Sequence, residues 1–213
     1  SLRLLHLSGN FIQHCGAEVA ALQEVQKVYL GRNKLFSFPV LLASLPALDA
    51  LDVSGNDIGD VVISNCVFRK LQELIVSHNR MTKFDVCNDN GATAFPELVN
   101  IDLSNNPLEK LPQLGEAPRL EIVNLLCCNI SQITRKQFQE FAQTRLIYMQ
   151  GNPLERVNRG RPLRVSFVEK HTDLVLSDLN SNNSSTSSTS STNNNYNNNN
   201  NNISNTTRSS HPT

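Results

Sequence analysis

The side chains with which this chain could do chemistry are five histidines (His6, His14, His78, His171 and His211), five cysteines (Cys15, Cys66, Cys87, Cys127 and Cys128) and its carboxylates. Proton transfer, nucleophilic attack and metal binding each need such groups at fixed spacing, and that spacing is missing. No histidine stands in an H-E-x-x-H motif, and no G-x-G-x-x-G, Walker loop or G-x-S-x-G occurs. The cysteines are odd in number and lack a C-x-x-C. Adjacent cysteines such as Cys127 and Cys128 rarely meet disulfide geometry without strain. All five read as buried structural thiols of a reducing compartment. The stretch Cys87-Asn88-Asp89-Asn90-Gly91 fails as a calcium loop, because Cys87 stands where a third-place oxygen ligand is required; it reads as a surface turn. We therefore expect no catalytic residues, no cofactor and no metal in these 213 residues.

Polar residues do recur at fixed spacing, but in a pattern that builds structure. The stretch Ile101-Asp102-Leu103-Ser104-Asn105-Asn106-Pro107-Leu108, preceded by Leu98, has the form L-x-x-I-x-L-x-x-N-x-L. Aligned on its asparagine, the same form returns at Asn10, Asn33, Asn56, Asn79, Asn106, Cys128 and Asn152, at intervals of 23, 23, 23, 27, 22 and 24 residues. Three apolar positions precede each, such as Val25/Val28/Leu30 and Leu71/Leu74/Val76; the seventh copy, Thr144/Ile147/Met149, has lost its first. The x-L-x-L-x core has period two, so each copy predicts a short strand with both apolar residues facing inward. The asparagine ends the strand, and its side chain can bond backbone groups left open in the turn. A constant interval sets neighbouring strands parallel and stacks the asparagines into a ladder, with Cys128 on one rung.

The return arms are predicted to be turns, extended segments or single helical turns. Leu35, Phe38, Leu42 and Leu45 form the clearest apolar arm, with Pro39 discouraging helix before that point. Thr134-Arg135-Lys136-Gln137 reads as a capping box, so a short helix is expected over 135–143.

These residues resemble the leucine-rich repeat superfamily, over roughly Leu2 to Val157. Lengths of 22 to 24 residues, with Phe38-Pro39 and Leu111-Pro112, look like the intracellular Ras-adaptor and signalling class. The resemblance implies an α/β solenoid, curved, with a parallel β-sheet on the concave face, turns and short helices on the convex face, and protein ligands bound in the concavity. No catalytic residues belong to such repeats.

On that sheet the residues between the inward positions face out. They are His6, Tyr29, Asp52, Ile75, Asp102, Asn124 and Tyr148, with Lys27, Glu73 and Asn100 two positions earlier and Arg3, Asp49, Glu121 and Arg145 at the strand edge. His6 itself reads as a solvated surface histidine. The candidate partner-binding set is Tyr29, Asp49, Asp52, Glu73, Ile75, Asp102, Glu121, Asn124 and Tyr148: acidic at the centre, with cations toward the ends. Tyrosine is favoured in binding hot spots, and patterned charge sets partner choice and encounter rate. The expected partner is a protein presenting a basic or amphipathic segment.

Composition sets the remaining bounds. Acidic and basic residues number 19 each, so no global charge argues for nucleic acid. No apolar run reaches the ~18 residues of a membrane span. The chain opens at Ser1 inside a repeat and reads as part of something longer. We divide it into a solenoid of seven repeats over 1–157, a C-terminal cap or the start of a further domain over 158–179, and an Asn/Ser/Thr-rich linker over 180–213. In that last segment 29 of 34 residues are Asn, Ser or Thr, and such a composition predicts disorder. The function expected is a non-enzymatic adaptor or scaffold in the cytoplasm. Two alternatives stand: a regulatory or targeting segment of a larger signalling enzyme (kinase, phosphatase, cyclase or Roco-type GTPase), or an extracellular recognition ectodomain.

Overall fold

The computed structural model describes residues 2–87, 93–133, 137, 139–141, 143–154 and 173–175. Its main element is a parallel sheet of eight three-residue strands. They are β1 (Leu4–His6), β2 (Lys27–Tyr29), β3 (Ala50–Asp52), β5 (Glu73–Ile75), β7 (Asn100–Asp102), β8 (Ile122–Asn124), β9 (Leu146–Tyr148) and β10 (Asp173–Val175), stacked in that order. Every predicted repeat supplies one strand, and the register never slips. Leu5, Val28, Leu51, Leu74, Ile101, Val123 and Ile147 are mutual partners along the stack. From Val28 onward this middle row is fully buried. At ~25 cal/mol per Å² of apolar surface, that row and the apolar residue two positions after it drive the coil closed. The fold is a leucine-rich repeat solenoid with little helix.

The ladder residues hold each rung to the next. Asn56 is typical: its Nδ2 donates to Val53 O at 2.9 Å and to Leu30 O of the preceding rung at 3.0 Å, and its Oδ1 accepts Leu35 N–H at 3.0 Å. Asn33, Asn79, Asn106 and Asn152 repeat the scheme. At the sixth rung the Cys128 Sγ donates to Leu103 O at 3.3 Å, replacing the inter-rung amide bond.

The residue before each ladder position is left-handed. Gly9, Arg32, Gly55, His78, Asn105, Cys127 and Gly151 have φ between 53° and 73°. That conformation aims the N–H of Gly9, Arg32, Gly55, His78, Asn105 and Cys127 at a carbonyl of the next rung, at 2.7 to 2.9 Å. Glycine adopts it freely, whereas it costs other L residues ~1–2 kcal/mol. His78→Gly is therefore expected to stabilise the fold by about 0.5–1 kcal/mol, and Gly55→Ala to destabilise it by about 1 kcal/mol, in urea unfolding. Opposite signs at these two positions are the check.

The return arms are more extended than helical. Short 3-10 helices span Ala17–Ala21 and Val40–Ser44, the second beginning directly after Pro39. In the next two rungs the arm is strand: β4 (Val61–Ser64) and β6 (Phe84–Cys87) pair in parallel as a second, two-stranded sheet. Four phenylalanines from these arms interlock beneath it. Phe68 stacks on Phe95 at 5.5 Å, while Phe38 meets Phe68 at 6.0 Å and Phe84 at 6.3 Å edge-on. Of the helix expected over 135–143, the described Gln137 and Gln139 are helical, and residues 134–136, 138 and 142 lie outside the described set. The turn expected at 87–91 falls outside it beyond Cys87. So does most of the 158–179 segment, whose Asp173–Val175 adds a strand to β9, and so does the whole of 180–213.

Candidate protein-binding face

Strand alternation leaves two rows of side chains on the outward side of the sheet, and a third row of residues lines its entrance edge. One row runs His6, Tyr29, Asp52, Ile75, Asp102, Asn124 and Tyr148, each in register with the next. The second runs Leu4, Lys27, Ala50, Glu73, Asn100, Ile122 and Leu146, in the same pairings. The third is set by backbone bonds at the strand entrance, where the carbonyls of Arg3, Gln26, Asp49, Gln72, Val99 and Glu121 each accept two N–H groups from the following rung. All nine candidate partner-binding residues thus lie in three aligned rows. Glu73 and Glu121 are exposed; Tyr29, Asp49, Asp52, Ile75, Asp102, Asn124 and Tyr148 are half-buried between their neighbours. Ala50 is buried and offers little contact.

Three of the nine also serve the fold. Asp52 Oδ1 accepts Ser54 N–H at 2.8 Å, Asp102 Oδ1 accepts Ser104 N–H at 2.9 Å, and Asn124 Oδ1 accepts Leu126 N–H at 3.2 Å. Each closes an Asx turn at the strand exit, so one oxygen of each aspartate is engaged there. Asn124 makes the same bond without charge. The repeated Asp-x-Ser at 52–54 and 102–104 is the sequence signal for this.

Electrostatically the face is divided along its length. Arg3 and Lys27 stand exposed on the first two rungs, and neither forms an ion pair among the described residues. His6 meets Tyr29 edge-on at 5.6 Å. From the third rung to the sixth the charged residues of the three rows are all acidic. Arg145 then lies 3.9 Å from Glu121, a loose contact between exposed groups that is worth little. Periodicity marks Asn100 as outward, but not what the structure adds: its Oδ1 is buried without a hydrogen-bond partner among the described residues. An unmet buried acceptor costs ~1–3 kcal/mol.

No group of three or more metal-ligating side chains exists among the described residues. The thiols follow their burial. Desolvation pushes Cys128 up to about 11, and raises Cys15 and Cys66. Those three are poor nucleophiles at neutral pH. All five cysteines are free, but only Cys128 is buried; Cys87 and Cys127 are exposed, against the expectation of buried structural thiols throughout.

Residues 1–58 match the family model for the leucine rich repeat. The chain is 26% identical over 141 residues to Toll-like receptor 2 of Pan troglodytes, covering 63% of this chain and 18% of that protein. It is 31% identical over 103 residues to Leucine-rich repeat-containing protein 58 of Xenopus laevis, covering 46% and 28%. The chain therefore spans less than a third of the length of the curated relatives it matches. Repeat, ladder and matches agree: residues 1–58 carry the leucine rich repeat, and the same rung and ladder run on through the described residues to Asn152. Leucine-rich repeats indicate a protein-interaction module, and the family is generally a non-enzymatic interaction fold.

Proposed function

We propose that this chain is a non-enzymatic adaptor or scaffold that binds a protein partner on the concave face, through a basic or amphipathic segment laid across the strands. The observation that carries this reading is the acidic run from the third to the sixth rung, Asp49, Asp52, Glu73, Asp102 and Glu121, held in register with the apolar area of Tyr29, Ile75 and Tyr148. A pre-formed sheet needs no backbone ordering on binding, so only side-chain ordering opposes affinity. Five free thiols support a cytoplasmic, reducing location. A second reading, an extracellular recognition ectodomain, is favoured by the relatives that carry the name of a receptor. Both readings use the same face.

The test neutralises charge while keeping the turns. Asp52→Asn and Asp102→Asn retain the acceptor that Asn124 already supplies, and Glu73→Gln alters an exposed side chain. We expect the triple variant to unfold at the same urea concentration as the parent within experimental scatter. Its affinity for a basic amphipathic peptide, selected against the parent from a display library, should fall about tenfold by calorimetry, the loss of three partly exposed pairs. Unchanged affinity in the folded triple variant would remove the acidic face from the account.

A further inference from the structure

The concave face has polarity, and we infer that it binds its partner in one orientation. The required partner is an extended segment carrying both signs, with its acidic end over the first two rungs and its basic residues over the third to the sixth. This deepens the reading above and rests on it. In those rows the first two rungs present Arg3 and Lys27, both exposed and in no ion pair among the described residues. No carboxylate occupies the three rows on those rungs. Beyond them the sign reverses at Asp52, Glu73 and Asp102 in the two strand rows; Arg69 and Lys70 stand beside Asp49 at the sheet's entrance edge, and no cation occupies the rows themselves until Arg145 on the seventh rung. The two regions share one rigid sheet, so their separation is fixed.

Geometry sets the partner's spacing. Neighbouring strands lie ~4.8 Å apart, which puts the centres of the two regions about three rungs, roughly 14 Å, apart. An extended chain advancing ~3.3 Å per residue covers that in about four residues. A wholly basic segment meets like charge at Arg3 and Lys27 when it runs past the third rung, and a segment bound in reverse meets it at both ends. Like charge in juxtaposition selects against the wrong arrangement, so direction is specified by repulsion as much as by attraction.

The experiment uses the full 213-residue chain and two capped peptides. One has three glutamates followed directly by six alternating lysines and leucines; the other replaces the glutamates with serines. We expect the two-signed peptide to bind about tenfold more tightly at low salt. A nitroxide at its glutamate end should broaden the amides of Leu5 and Val28, and one at its lysine end those of Ile101 and Val123. Writing the same peptide in reverse order should leave the glutamates over Leu5 and Val28. Arg3→Glu with Lys27→Glu should abolish the tenfold preference while the serine peptide binds as before or better. Equal affinities, or broadening at both ends of the sheet from either label, would overturn the orientation and leave the acidic-face reading intact. Failure of both peptides to bind would overturn both.

Discussion

Asn79→Ala lowers the unfolding free energy by about 2–4 kcal/mol, whereas Asn10→Ala costs under about 1 kcal/mol. Asn79 is buried, and its side chain makes three strong bonds: Nδ2 to Val76 O at 3.0 Å and Val53 O at 3.1 Å, and Oδ1 from Ile58 N–H at 3.1 Å. Alanine makes none of them. Val53 O and Val76 O keep the amides of Asn56 and Asn106, but the buried Ile58 N–H loses its acceptor, at ~1–3 kcal/mol, and each carbonyl loses one of its two donors, at ~0.5–1 kcal/mol. Asn10 is exposed and bonds only within its own rung among the described residues, at 2.9 Å to Leu7 O and 3.4 Å to Ser8 O, where water can substitute. In a solenoid each rung is supported by its neighbours alone. The loss of a central tie should therefore also lower the urea m-value, as the array begins to unfold in two parts. A cost at Asn79 no larger than at Asn10 would mean that the ladder does not bind the rungs.

Phe68→Ala is expected to cost a similar amount, about 3–5 kcal/mol, by another route. Phe68 is 2% exposed, stacks on Phe95 at 5.5 Å and meets Phe38 at 6.0 Å. It joins the arms of three successive rungs, so truncation opens a cavity that no single neighbour can fill. Phe68→Leu should recover more than half of the loss. The concave face is built by the opposite side of each rung, so peptide binding by the folded alanine variant should be unchanged.

Much of this was legible in one dimension, for a physical reason. A solenoid repeats one local solution, so a period of about 23 residues reports contacts that lie ~4.8 Å apart in space. The inward strand positions needed no tertiary knowledge: Val28, Leu51 and Leu74 are partners because they hold the same place in the repeat. The outward rows followed from alternation alone. Other features escaped because they break the period or add to it. The left-handed turn before each ladder residue is announced by Gly9, Gly55 and Gly151, yet Arg32, His78 and Cys127 mask it in other rungs. Val61–Ser64 and Phe84–Cys87 are short apolar runs whose periodicity cannot distinguish strand from other buried backbone, so the second sheet was not foreseen. The phenylalanine cluster joins residues at different places in their repeats, and only coordinates bring Phe38, Phe68, Phe84 and Phe95 together. The Asx bonds of Asp52 and Asp102 show why outward polarity alone is an incomplete guide to binding, since a residue can face a partner and close a turn at once.

The most direct test of the central claim is hydroxyl-radical footprinting of the chain with and without a saturating, display-selected basic amphipathic peptide. The concave-face account predicts that oxidation of Tyr29, Ile75 and Tyr148 falls severalfold on binding, while Val62 and Phe36 on the return arms, 53% and 60% exposed, react as before. Protection of Val62 and Phe36 with Tyr29, Ile75 and Tyr148 unchanged would contradict it and move the binding surface to the other side of the solenoid.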